Sequence, residues 1–173
     1  MQGHERKQFT NGYRWTMNRW TDNMASGAPE RPDQQHGFIE LSTARRMLPL
    51  VRRVVEEIVK GRKALALLIF EQESLDRKRR ALDWPSRQRR YQVQEEIVAA
   101  EDRLNELLAE LNALKVVLLD ADTGRTGFPT AVNNRPAFFC WTPGEAEVEF
   151  WHFAGEDVRR PIPKLWAKVG SPT

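Results

Sequence analysis

The stretch FFCWTPGEAEVEFWHF, Phe138 to Phe153, holds the only cysteine of the chain, one of its three histidines, two tryptophans and three glutamates. Thiol, imidazole and carboxylate are the donors of a zinc site, and a thiol beside an imidazole is a nucleophile with its base. Distance decides between these chemistries and simple packing. Pro143-Gly144 predicts a tight turn, with Cys140 and His152 on the two strands of one hairpin. If Thr142 faces Glu145 across that turn, Cys140 faces Glu147 and Arg135 faces His152. The two side chains then lie on opposite faces of the sheet; one more loop residue puts them on the same face. Either way they are about four positions apart, roughly 13 Å at ~3.3 Å per residue. That is too far for one metal or for a proton transfer.

Cys140 therefore reads as a small buried hydrophobe between Phe139 and Trp141. His152 reads as a histidine bonded to a backbone carbonyl, the alternative being a ligand or base completed from elsewhere. The candidate ligand or metal set is His152, Glu145, Glu147 and Arg160, with Glu149 at its margin. Arg159 and Arg160 are expected to pair with Glu147, Glu149 or Glu156, and Glu145 to sit in the turn, its carboxylate the alternative holder of a nearby Arg. No catalytic residue is assigned. No phosphate loop, HExxH, CxxC or GxSxG motif is present, and no cofactor is predicted beyond the metal ion this set would hold. Asp120, Asp122 and Thr123-Gly124 begin like a calcium loop but lack its later ligands, which leaves an Asx-type turn.

A second constellation is basic. Residues 77–90 carry seven Arg or Lys against one acid, and residues 91–122 carry two against eight. Arg77, Lys78, Arg79, Arg80, Arg87, Arg89 and Arg90 could meet phosphates, with Trp84 and Tyr91 to stack on bases. The plainer reading is a solvated tip.

These residues need elements to hold them. Ser42 or Thr43 is the expected N-cap of a helix whose apolar positions run from Met47 to Leu82 at steps of three and four. Pro49 predicts a kink or a fresh helix start, and Gly61 a second weak point. Asp83-Trp84-Pro85-Ser86 reads as a turn. Val93, Ile97, Ala100, Leu104, Leu107, Leu111 and Leu114 then form a heptad seam. The result is an antiparallel helical hairpin over 43–115, each arm roughly 45 Å long. A β-meander follows over 116–154, with strands at 116–119, 128–132, 136–141 and 148–153, and then an extended segment at 155–166. The fold class is α+β: a long antiparallel helical hairpin with a small antiparallel sheet at its open end. Residues 38–166 form the single domain, 1–37 a flexible tail and 167–173 a short second one.

The chain has 173 residues and a net charge of +3, too little alone to imply a polyanionic partner. One cysteine excludes an intrachain disulfide, and the N-terminus has no signal-like apolar run, so a cytoplasmic protein without membrane contact is expected. Two helices cannot enclose a core along some 45 Å, so the leading expectation is a non-enzymatic interaction or scaffold protein. The seam from Val93 to Leu114 would join a homodimer or receive another protein. Nucleic-acid binding at the tip and a ligand site around His152 are the alternatives.

Phe38…Leu48-Pro49-Leu50-Val51, Asp122-Thr123-Gly124…Phe128-Pro129, Phe139-Cys140-Trp141…Gly144-Glu145 and Trp151-His152…Arg160-Pro161 resemble the prokaryotic domain of unknown function 2203 family, over about residues 38–163. The resemblance implies the fold and no activity. Members tend to carry an aspartate before Phe-Pro, where this chain has Gly127, and the segment after Trp-His is shorter here. Any site pairing that aspartate with His152 would be incomplete.

Overall fold

A computed structural model describes residues 37–167, so the expectations for 1–36 and 168–173 fall outside the described residues. Helix α1 spans Leu41–Arg77 and helix α2 spans Trp84–Ala113. The N-cap of α1 is Glu40 rather than Ser42 or Thr43, and the helix runs on through Pro49 without a fresh start. Ile39 fixes the entry, since its N–H donates to the Pro129 carbonyl at 2.7 Å and its side chain is buried. Asp83-Trp84-Pro85-Ser86 is not the expected turn: the turn lies at 78–81, and Asp83 caps α2 by accepting from the Ser86 N–H at 3.0 Å, with Pro85 in the first helical turn, where a missing N–H costs no helical bond.

Five strands follow: β1 Val117–Asp120, β2 Arg125–Val132, β3 Arg135–Trp141, β4 Phe150–Phe153 and β5 Arg160–Pro161. They form one antiparallel sheet in chain order, so the expected α+β architecture is present. Asn133 and Asn134 both take positive φ (51° and 57°), as a two-residue hairpin turn of the I′ type requires. Gly144 (φ 103°) sits where a type II turn wants positive φ, and the Glu145 N–H closes that turn on the Thr142 carbonyl at 3.0 Å.

The β3–β4 register differs from the expected one. Cys140 pairs with Phe150 and Phe138 with His152, not Cys140 with Glu147. The tight turn at 142–145 is there, but the connection runs on to Glu149 because its residues pack. Val148 is fully buried, the Trp141 Nε1–H donates to the Glu145 carbonyl at 3.0 Å, and the Thr142 N–H donates to the Glu145 carboxylate at 2.9 Å. Cys140 and His152 therefore share a face, two positions apart rather than four.

The sheet sits against the first half of α1. Arg52 lies over the Trp141 ring at 5.6 Å, and Gly124 (φ 75°) comes so close to Val55, Val59 and Pro143 that a Cβ there would lie within 3 Å of each. The α1 side of the core contains Leu41, Ala44, Leu48, Val51, Val54, Val55 and Ile58. Leu104, Leu107 and Leu111 of α2 close it from the other side.

Candidate functional site

Three groups of residues were singled out above, and the structure treats each differently. In the sheet, Cys140 is fully buried and its thiol points at the Phe138 carbonyl, 3.6 Å away. Burial pushes the thiol pKa up to about 12, with smaller opposing effects from Arg159 and Arg125, so the thiolate needed for metal binding or attack is not formed near neutrality. His152 is buried beside Phe138, ring centroids 5.6 Å apart, and its Nδ1 lies 2.8 Å from the Phe153 carbonyl. A carbonyl only accepts, so Nδ1 carries the proton. Distance along the strands does not separate these two residues after all; burial and hydrogen bonding do.

His152, Glu145, Glu147 and Arg160 are not brought together. The Glu145 carboxylate receives Arg159 at 2.6 Å, and that guanidinium also lies 4.3 Å from the Phe150 ring. Glu147 meets Arg45 of α1 at 3.6 Å. Arg160 is held by Glu156 at 2.7 Å and lies over Trp151 and Phe153, on the face opposite His152. Of the pairings expected for Arg159 and Arg160, Arg160 with Glu156 forms, and Arg159 takes the alternative, Glu145. Among the described residues no group of three His, Cys, Asp or Glu can hold a metal ion. Asp120 forms the expected Asx-type turn, accepting from the Asp122 N–H at 2.9 Å and the Thr123 hydroxyl at 2.8 Å.

Two arginines escaped the sequence reading. Arg45 and Arg52 flank Leu48-Pro49 and line a cleft of about 380 Å³ against Ala146 and Glu147. Arg52 donates to the Glu145 and Ala146 carbonyls at 3.2 and 2.8 Å, and Arg45 to the Val148 carbonyl at 3.5 Å. They fasten the 145–148 loop to α1. The only signal was their seven-residue spacing on one helix face, which a solvated helix also shows.

At the tip, the cations divide into two sets. Arg89 is bound by Glu71 at 2.8 Å and Glu96 at 2.7 Å, and the Arg89 hydrogen bond holds the Glu71 carboxyl below its usual range. Arg90 is bound by Asp76, and the Arg87 Nε–H donates to the Leu82 carbonyl at 3.0 Å. Arg77, Lys78, Arg79 and Arg80 are exposed, and among the described residues their side chains have no partner. Trp84, at the start of α2, and Tyr91, two turns further along, are 70% and 63% exposed.

The seam is spent inside the chain. Val93, Ile97, Leu104, Leu107 and Leu111 are buried within the chain itself, and Gly61 lets Leu104 approach α1 so closely that a Cβ there would touch it at 3.0 Å. Ala100 and Leu114 are half-buried. These positions are not free to join a second copy, because period alone does not say which helix covers a stripe. The large apolar side chains left uncovered on the hairpin are Leu67, Phe70, Trp84, Tyr91 and Val98, with Leu50 partly so. Glu57–Arg103 (2.8 Å) and Glu71–Arg89 mark one flank of the hairpin. At about 100° per residue, Phe70, Ala66, Trp84, Tyr91 and Val98 fall on the opposite flank, with Leu67 on the back of α1. One flank is ionic and the other apolar.

The profile of the family described as an uncharacterized conserved protein (DUF2203) matches residues 38–162, so the chain belongs to that family. No curated protein and no solved structure matches it.

Proposed function

We propose that this protein is a non-enzymatic interaction or scaffold protein that works as a homodimer through the free arm of its helical hairpin. The observation that carries this reading is the uncovered apolar flank. Residues 64–70 read Ala-Leu-Ala-Leu-Leu-Ile-Phe, apolar around the whole helix, yet Leu67 and Phe70 remain 71% and 66% exposed. A helix of that composition belongs in an interior, and exposed apolar patches of this kind mark contact sites. A second copy brings an identical flank and completes an antiparallel four-helix arrangement. The buried thiol, the carbonyl-bound His152 and the dispersed carboxylates support an interaction role over chemistry on the sheet.

Sedimentation equilibrium on the full chain tests this. A dimer for the wild type and a folded monomer for Phe70→Glu with Val98→Glu are expected. A wild type that stays monomeric up to ~100 μM, weaker than most specific assemblies, would exclude self-association as the working state.

A further inference from the structure

Two clusters of unpaired like charge lie at opposite ends of the free arm, residues 59–77 of α1 with the part of α2 beside them. Cations without a partner, Arg77 to Arg80, cluster at the tip. At the other end, Glu101 and Asp102 are adjacent acids that form no ion pair among the described residues, since the neighbouring Arg103 is taken by Glu57 and Glu106. Burial, and to a smaller extent the neighbouring Asp102, raise the Glu101 pKa. Within one chain these groups cannot meet. The arm from residue 59 to residue 77 rises about 28 Å at ~1.5 Å per residue, well beyond the Debye length of ~8 Å at physiological salt.

The ion pairs across the hairpin fix which residues lie level. Glu57 is level with Arg103 and Glu71 with Arg89, so Glu101 and Asp102 lie level with Ile58 and Val59, at the foot of the arm. On the helical wheel they belong to the same flank as Val98 and Tyr91, the apolar one. Two free arms overlapping fully in antiparallel have their midpoint near Leu68. Each tip then comes level with the foot of the other arm.

We infer that the second copy docks antiparallel on the apolar flank, with Arg77 to Arg80 of each protomer against Glu101 and Asp102 of the other. This rests on the self-association proposed above and specifies its geometry. A parallel pair would set tip against tip, four free cations facing four. The antiparallel pair satisfies both charge clusters at once and repeats the contact twice by symmetry. A flanking pair follows the same order: Lys63 precedes the apolar patch and Glu73 follows it, so antiparallel copies bring these unlike charges level.

Charge reversal tests the geometry without touching the core, since Arg79 and Asp102 are both exposed. Arg79→Glu and Asp102→Lys are each expected to raise the dimer dissociation constant roughly five- to tenfold, because each alters two contacts per dimer. The double variant should return to within about threefold of wild type, as a coupled pair does. Far-UV circular dichroism confirms that each variant folds. A dimer that Phe70→Glu dissolves but that ignores both reversals, with no rescue in the double variant, would overturn the antiparallel geometry and leave self-association standing. A monomeric wild type would overturn both. A short single-stranded oligonucleotide bound in a salt-sensitive way and lost in Arg79→Glu, with the dimer unchanged, would assign the free cations to nucleic acid and overturn the inference too.

Discussion

The two halves of helix α1 share an apolar period and differ in almost everything else. Residues 41–58 bury seven apolar side chains, whereas residues 59–77 bury only Gln72. The first half has the sheet on one side and α2 on the other; among the described residues the second has α2 alone. The arginines of this segment divide in a related way: Arg45, Arg52 and Arg62 beside the sheet are engaged by loop carbonyls, Glu147 and Asp122, while the side chains of Arg77 to Arg80 at the tip have no partner among the described residues. Amphipathic period builds a helix but does not determine its surroundings. Where the neighbours of a helix run out halfway along, its apolar positions are left at the surface.

The comparison predicts how unfolding free energy responds along the molecule. The largest effect is expected where α1, α2 and the sheet converge. Leu104→Ala removes a side chain that is 1% exposed and packed against Gly61. The loss should be about 2–5 kcal/mol in urea unfolding, as for other buried leucines. A loss under about 1 kcal/mol would mean that this junction is as loose as the free arm.

Glu145→Gln comes next. It keeps an acceptor for the Thr142 N–H but leaves Arg159 without its carboxylate while the guanidinium still packs on Phe150. A cost of about 1–2 kcal/mol is expected, in the range of a partly buried charge-assisted hydrogen bond. Sensitivity of that cost to moderate salt would place the pair in bulk solvent and weaken the contrast with the tip.

Cys140 gives an effect that is absent at neutral pH. Its folded pKa is raised to about 12 by burial, so the unfolded chain releases its proton first as pH rises. The unfolded state then binds fewer protons, and the sign of the linkage makes stability fall with pH. The slope approaches about 1.4 kcal/mol per pH unit above pH ~9, and it is absent below. Cys140→Ser should remove that slope. Iodoacetamide should modify the wild-type thiol only as fast as the chain opens.

Much of the fold was legible in the sequence because it rests on local period and turn chemistry. The steps of three and four and Pro143-Gly144 each specify a local structure without help from the rest of the chain, whereas Asp83-Trp84-Pro85-Ser86, read as a turn, marks only the break before α2. What was illegible depends on contacts between distant residues. The β3–β4 register was set by Val148 and Trp141 packing the 142–149 connection, which spacing cannot show. The seam from Val93 to Leu111 has the same period whether it faces α1 or another copy. Arg89 and Arg79 look alike in a basic run, yet only Arg89 has Glu71 and Glu96 across from it. The candidate set around His152 dispersed for the same reason, since each of its charged members found a partner elsewhere.

The smallest effect on folding is expected where the apolar flank is bare. Phe70→Ser removes an aromatic ring that is 66% exposed and lies on the flank away from the Glu71–Arg89 pair. In dilute, monomeric protein little buried surface is lost, so unfolding free energy should change by about 0.5 kcal/mol or less. A cost of about 2 kcal/mol under those conditions would mean that the chain itself covers Phe70, and the contrast between the two halves of α1 would fail. The same substitution at high protein concentration should lower the apparent stability more, because a dimer that forms only from folded chains adds to stability by mass action. The concentration dependence, present in the wild type and absent in Phe70→Ser, separates a surface built for a partner from one that is merely exposed.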